Sequence, residues 1–176
     1  MPPALAPLDL SDEIAAHRVA IAAFTDLLAR PDAAARKPDV SGWSIAEHAD
    51  HIAKSTASIA RLSRGLVAGK IGDEALQPDD NRLTRFLSGR SMPRGGTSPA
   101  NITAEEGVTA EAASWALAAA HEALEALSVQ AEAITAADRR FQHPFFGPLK
   151  AAEWVRFCGV HAEHHLGIAR EIAEAG

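Results

Sequence analysis

Between Lys150 and Ala173 the chain repeats apolar residues at helical spacing, and two histidines stand in the middle of that repeat. At about 100° per residue, with Trp154 as zero, Phe157 falls near −60°, Cys158 near +40°, Ile168 near −40° and Ile172 near 0°. This is the stripe that a helix turns toward a core. His161, at about −20°, and His165, at about +20°, lie within it roughly 6 Å apart along the axis, so their imidazoles can converge on one point. An unpaired buried polar group costs about 1 to 3 kcal/mol. The helix must therefore pack against elements that supply partners, and a metal ion supplies one to both rings at once. The plainer reading is that each ring hydrogen-bonds a neighbouring carboxylate or carbonyl. His164, near −80°, falls at the edge of the stripe.

Three further long helices are expected. The first begins near Ser11, whose hydroxyl can cap it, with Asp12 and Glu13 at its positive end, and runs to about Arg30, before Pro31; Ile14, Ile21, Phe24 and Leu28 mark its apolar face. The second begins at Ser44-Ile45-Ala46-Glu47, a capping box, and continues to about Ala68. The third spans about Val108 to Ala136 and carries Trp115, Leu117, Leu124 and Leu127. Between Gly69 and Gly107, Pro78, Pro93, Gly95, Gly96 and Pro99 predict a long irregular connection with one short helix around Asn81 to Leu87. Connections of that length in a compact domain are often functional.

The 176 residues suit one domain over 1–176. Tyrosine is absent and aromatics make up 5%, while alanine supplies much of the 47% hydrophobic content, which favours an all-α fold. A net charge of −6 without basic runs excludes a phosphate-backbone footprint, so nucleic acid is not an expected partner. Nothing approaches the roughly 20 apolar residues of a membrane span. The single Cys158 and the start Met1-Pro2-Pro3-Ala4, which lacks the segments of a signal peptide, point to a cytoplasmic location.

A third ligand has to come from the second helix. With Ile45 as zero, Ile52, Ile59 and Leu66 lie between about −20° and −60°; His48, near −60°, shares their face, and His51, near −120°, lies at its margin. Periodicity chooses His48, yet a margin position can point into a cleft between helices.

The stretch Trp43-Ser44-Ile45-Ala46-Glu47-His48-Ala49-Asp50-His51-Ile52, followed by His161-Ala162-Glu163-His164-His165-Leu166, resembles the DinB/YfiT-like superfamily of metal-binding four-helix bundles. The segment His143-Pro144-Phe145-Phe146-Gly147-Pro148-Leu149, with Glu153-Trp154 after it, resembles an uncharacterised branch of that superfamily. The resemblance covers nearly the whole chain. It implies an up-down-down-up bundle with the long loop between helices two and three. It also implies His51, His161 and His165 as ligands, with His48 behind them. Ile168 stands where members of the branch often carry glutamine. The implied cofactor is a divalent ion, zinc, nickel or iron. Three neutral imidazoles leave such an ion its charge and an open position, able to lower the pKa of bound water to about 7 or to hold a thiolate.

Other candidates carry plainer roles. Glu47 is sufficiently explained as a cap, and Asp50 and Glu163 as solvated charges. Cys158 reads as a buried, inert thiol rather than a ligand. Arg82, Arg85, Arg90 and Arg94 of the long loop are surface arginines or contacts for an anionic substrate. His143 and Phe145 belong to a turn before helix four, near enough to plug the bundle end. His17 and His121 show no convergent partner and are read as surface or packing residues.

Three function classes follow. One is a metal-dependent enzyme acting on a small molecule, either a thiol S-transferase using a low-molecular-weight thiol, as the resemblance implies, or a hydrolase; no catalytic residue is assigned. A second is a non-catalytic metal-binding or stress-response module. The third is a helical interaction protein whose histidines only hydrogen-bond. Homodimerisation through the helices is common in the superfamily, and the sequence does not fix it.

Overall fold

The computed structural model describes residues 8–79, 87 and 89–175. The chain forms α1 (Leu10–Leu28), α2 (Ile45–Val67), α3 (Ala110–Glu125), a short α4 (Ala131–Ala136), a hairpin of β1 (Arg140–His143) and β2 (Gly147–Lys150), and α5 (Ala151–Glu174). The short helix expected around Asn81 to Leu87, with Arg82 and Arg85, lies outside the described residues apart from Leu87, which is buried in the core.

Each helix start has a local cause. Asp9, rather than Ser11, caps α1, its carboxylate accepting the Ser11 and Asp12 amides at 2.8 and 3.3 Å. At α2 the capping box forms: the Ser44 hydroxyl accepts the Glu47 amide at 3.2 Å, and the Glu47 carboxylate accepts the Ser44 amide at 2.8 Å. Glu153 reaches back to the Lys150 amide at 2.7 Å and so opens α5.

Four long helices pack as a bundle in which α1 and α2 stand diagonally and each touches both α3 and α5. Contact pairs give the directions. Glu13 meets Arg156 at one end and Arg30 meets the Ala173 carbonyl at the other, so α1 and α5 run parallel. His48 meets His165 and Thr56 meets Cys158, so α2 opposes α5. Glu47 takes the Gly107 amide just ahead of α3, and Arg64 donates to the Ala123 carbonyl near its end, so α2 and α3 run together. The result is the expected up-down-down-up bundle. Two apolar clusters fill its ends, and a polar layer through His17, Ser55, Thr56, His51 and His161 separates them.

Two segments depart from expectation. Helix three does not run unbroken to Ala136; it stops at Glu125, passes through a 3-10 turn at Ser128–Gln130 and resumes as α4. Beyond Glu125 its parallel neighbour α2 ends at Val67, so a straight helix would carry Ile134 past its last partner. The break folds α4 against α2 and α5 and buries Ile134 completely. The stretch before the last helix is an antiparallel hairpin in which His143 pairs with Gly147, whose φ of 75° glycine adopts without strain.

The described part of the long loop is strapped along α2. His51 donates to the Ile102 carbonyl, Lys54 to the Thr103 carbonyl, and the Glu105 and Gly107 amides donate to Asp50 and Glu47. Among the described residues no helix is long and apolar enough to cross a membrane.

Candidate metal centre

The cap at Ser44 sets the phase of α2, and with it the directions of His48 and His51. Glu47 is pinned further by Arg36, whose guanidinium holds its carboxyl down at about 2 against the opposing cost of burial. From α5, His161 and His165 face α2 one turn apart. One ligand nitrogen each from His51, His161 and His165 can be chosen so that all lie within 4.8 Å of one another, and the three can hold a metal ion.

The ring nitrogens are individually committed. His51 donates from Nδ1 to the Ile102 carbonyl at 2.7 Å, which leaves Nε2 a bare lone pair. That Nε2 faces His161 Nε2 at 3.1 Å, and His161 Nδ1 lies 3.2 Å from the Ser55 hydroxyl. Nδ1 of His165 lies 2.8 Å from Nδ1 of His48, whose Nε2 in turn lies 3.0 Å from Ser41 Oγ. Such outer partners orient a ligating imidazole and fix its tautomer. Burial pushes the pKa of His161 and of His165 well below the usual histidine value, with the neighbouring histidines adding to the effect; His51 is lowered by burial too. All three are neutral near pH 7, the form that binds metal.

His51 therefore joins the cluster, and His48 stands behind His165. The helical wheel misjudged His51 because α2 has no exposed margin there: every residue from Ser44 to Ala53 is buried, between α3, α5 and the strapped loop. His164 is half-buried in the cavity wall, edge-on to His165 with ring centres 5.1 Å apart.

The centre opens into a cavity of about 660 Å³. Trp43 packs over His48 and His51, with ring centres 5.4 and 5.1 Å away, and Phe157 stacks on His161 at 5.1 Å. Among the described lining residues there is no Asp or Glu, and Arg94 is the one Lys or Arg.

The remaining candidates resolve into structural roles. Asp50 is not a solvated charge: it is buried and accepts from Lys54 and from the Glu105 amide. Glu163 pairs with Arg90, which also bonds Glu13 at 2.8 Å, and Arg94 pairs with Glu171. Cys158 is buried, gives its thiol proton to Thr56 and is pushed up to about 12 by burial. His17 and His121 do have partners. Their Nδ1 atoms lie 3.0 Å apart, and His17 Nε2 lies 3.1 Å from Thr56 Oγ1 in the interior.

Sequence reasoning missed Ser41, Ser55 and the Ile102 carbonyl. Ser55 lies one turn after His51 and could have been found on the wheel. Ile102 reaches the site through loop folding and leaves no periodic signal.

In comparisons with known proteins, the model of the DinB superfamily matches residues 13–169. No curated protein and no solved structure matched the chain.

Proposed function

This chain belongs to the DinB superfamily, and from that premise we propose that it binds a divalent metal ion through His51, His161 and His165 and acts on a small molecule held in the adjoining cavity. The observation that carries this reading is the 3.1 Å approach of two buried Nε2 atoms, one of them already a lone pair because its Nδ1–H is spent on the Ile102 carbonyl. With the third imidazole beside them, the donors suit zinc, nickel or iron, and three protein ligands leave room for a substrate atom. A bound divalent ion supplies Lewis acidity and holds a nucleophile in its deprotonated form at neutral pH.

The protein's own groups do the rest. Ile102, Ser55 and His48 hold the three rings in place, while Trp43 and Phe157 cover them and keep water from one side. The absence of carboxylates among the described lining residues favours neutral or anionic substrates over cations. The roomy cavity favours an enzyme, a thiol S-transferase or a hydrolase, over a metal-storing module, since storage calls for no such space.

Elemental analysis of the purified protein tests the reading. One equivalent of metal is expected in the wild type and far less in His51→Ala, His161→Ala and His165→Ala. Full metal content in all three variants would sink it. Chelator should also lower the melting temperature of the wild type and leave the variants unmoved, because an ion that binds only the folded state stabilises it by mass action.

A further inference from the structure

The hairpin end of the same cavity carries a donor that none of the described residues uses. His143 is 5% exposed, lines the cavity and accepts two backbone amides on Nδ1, from Phe145 at 3.1 Å and Phe146 at 3.3 Å. A ring nitrogen that accepts amide protons carries none itself, so the proton of the neutral ring sits on Nε2. That Nε2–H has no hydrogen-bond partner among the described residues. The Trp154 ring lies 5.0 Å away, and its indole N–H is buried with no partner among the described residues. Among the described residues this end thus offers two N–H groups without an acceptor, and polar groups inside a protein are normally paired.

One ring separates this point from the metal centre. Phe157 meets His143 edge-on at 4.5 Å and also stacks on His161 at 5.1 Å. Leu62, Met92 and Ile59 line the space as well. A ligand spanning it must be apolar in its middle.

We propose that His143 Nε2–H is a second binding point, receiving an acceptor oxygen (carbonyl or carboxylate) at the far end of a small ligand whose near end meets the three-histidine centre. The near-end contact rests on the proposed metal reading; the His143 contact does not. The ligand class is an apolar-bodied molecule with a metal-binding atom at one end and a carbonyl-type oxygen at the other. A donor-only group, such as an ammonium, finds nothing to bind at His143.

The test uses the full chain loaded with cobalt(II). Affinities for methyl ω-sulfanylalkanoates of four to eight carbons, and for n-alkanethiols of matched length, are read from the sulfur-to-cobalt charge-transfer band. At the length that spans the cavity the ester should bind about three- to tenfold tighter than its alkanethiol, the worth of one neutral hydrogen bond. His143→Asn keeps an acceptor for the two turn amides but loses the distal donor. It should bind alkanethiols as the wild type does and show no ester preference. No preference at any length in the wild type, or a preference that survives in His143→Asn, overturns the proposal.

A chain that binds no cobalt would overturn the metal reading alone, and the His143 contact is then read in metal-free protein. Its imidazole ¹⁵N spectrum should show the Nε2–H tautomer, with a proton resonance that moves on titration with 2-heptanone and stays with n-hexane. An Nδ1–H tautomer, or a resonance the ketone leaves in place, overturns it.

Discussion

His48 Nδ1 stands 2.8 Å from His165 Nδ1, and the single proton between them decides which nitrogen of His165 is free. When that proton belongs to His165, its Nε2 is a lone pair. His48 then carries its own proton on Nε2 and gives it to Ser41 Oγ at 3.0 Å, an oxygen that also accepts the Trp43 amide at 3.1 Å. The relay runs from Ser41, in the loop ahead of α2, through His48 to His165 at the centre of the bundle.

His48→Ala should weaken metal binding by about 10- to 100-fold, the usual cost of losing the partner of a ligating imidazole. Ser41→Ala, one step further out, should cost less. Competition with a chromophoric chelator measures both, and wild-type affinity in His48→Ala would show that His165 needs no such support.

Acid should destabilise the metal-free protein through its buried histidines. Burial lowers His17 to about 3 and both His48 and His143 to about 4. In the unfolded chain these rings take up protons near pH 6.5, while the folded chain keeps them neutral to about pH 4. The unfolded state therefore binds more protons across that window. Stability is full above about pH 6.5 and falls by about 1.4 kcal/mol per pH unit for each such ring as pH drops through it. Urea titrations of chelator-treated protein between pH 7 and pH 4 should show this fall, and His17→Asn should make it shallower. A flat profile contradicts the assignment.

The Cys158 thiol should be silent in the native state. It is buried against Thr56, with its pKa pushed up to about 12, so almost no thiolate exists at neutral pH. An aromatic disulfide reagent should label it only at the rate of unfolding, and fully in denaturant. Fast stoichiometric labelling of the folded protein would mean that the thiol reaches solvent.

Glu13 ties α1 to α5 and to the long loop: its carboxylate accepts Arg156 at 2.6 Å and Arg90 at 2.8 Å, and it is 5% exposed. Glu13→Ala brings two guanidinium groups together without the carboxylate between them. A loss of about 3 to 5 kcal/mol is expected by chemical denaturation, as for other broken interior ion pairs. A change below about 1 kcal/mol would make this a surface-like contact.

Much of this architecture was written in short-range patterns. The Ser44 to Glu47 capping box, the apolar faces of α1 and α5, and the placing of His161 and His165 on a buried stripe all follow from bonds and periodicities within one or two turns, which the chain carries wherever it folds. The motif that pairs His51 with His161 and His165 was equally visible as a resemblance.

What tertiary structure alone decided are relations across the bundle. The wheel put His51 at a margin because it assumes a helix with one wet face, and α2 between Ser44 and Ala53 has none. The break after Glu125 depends on where α2 ends, and the His17 to His121 contact on the apposition of α1 and α3. The Nε2–H tautomer of His143 depends on a turn that folds two amides onto its other nitrogen. Periodicity names the residues that share a face. Packing decides what each face meets, because burial and hydrogen-bond pairing are settled between segments distant in the chain.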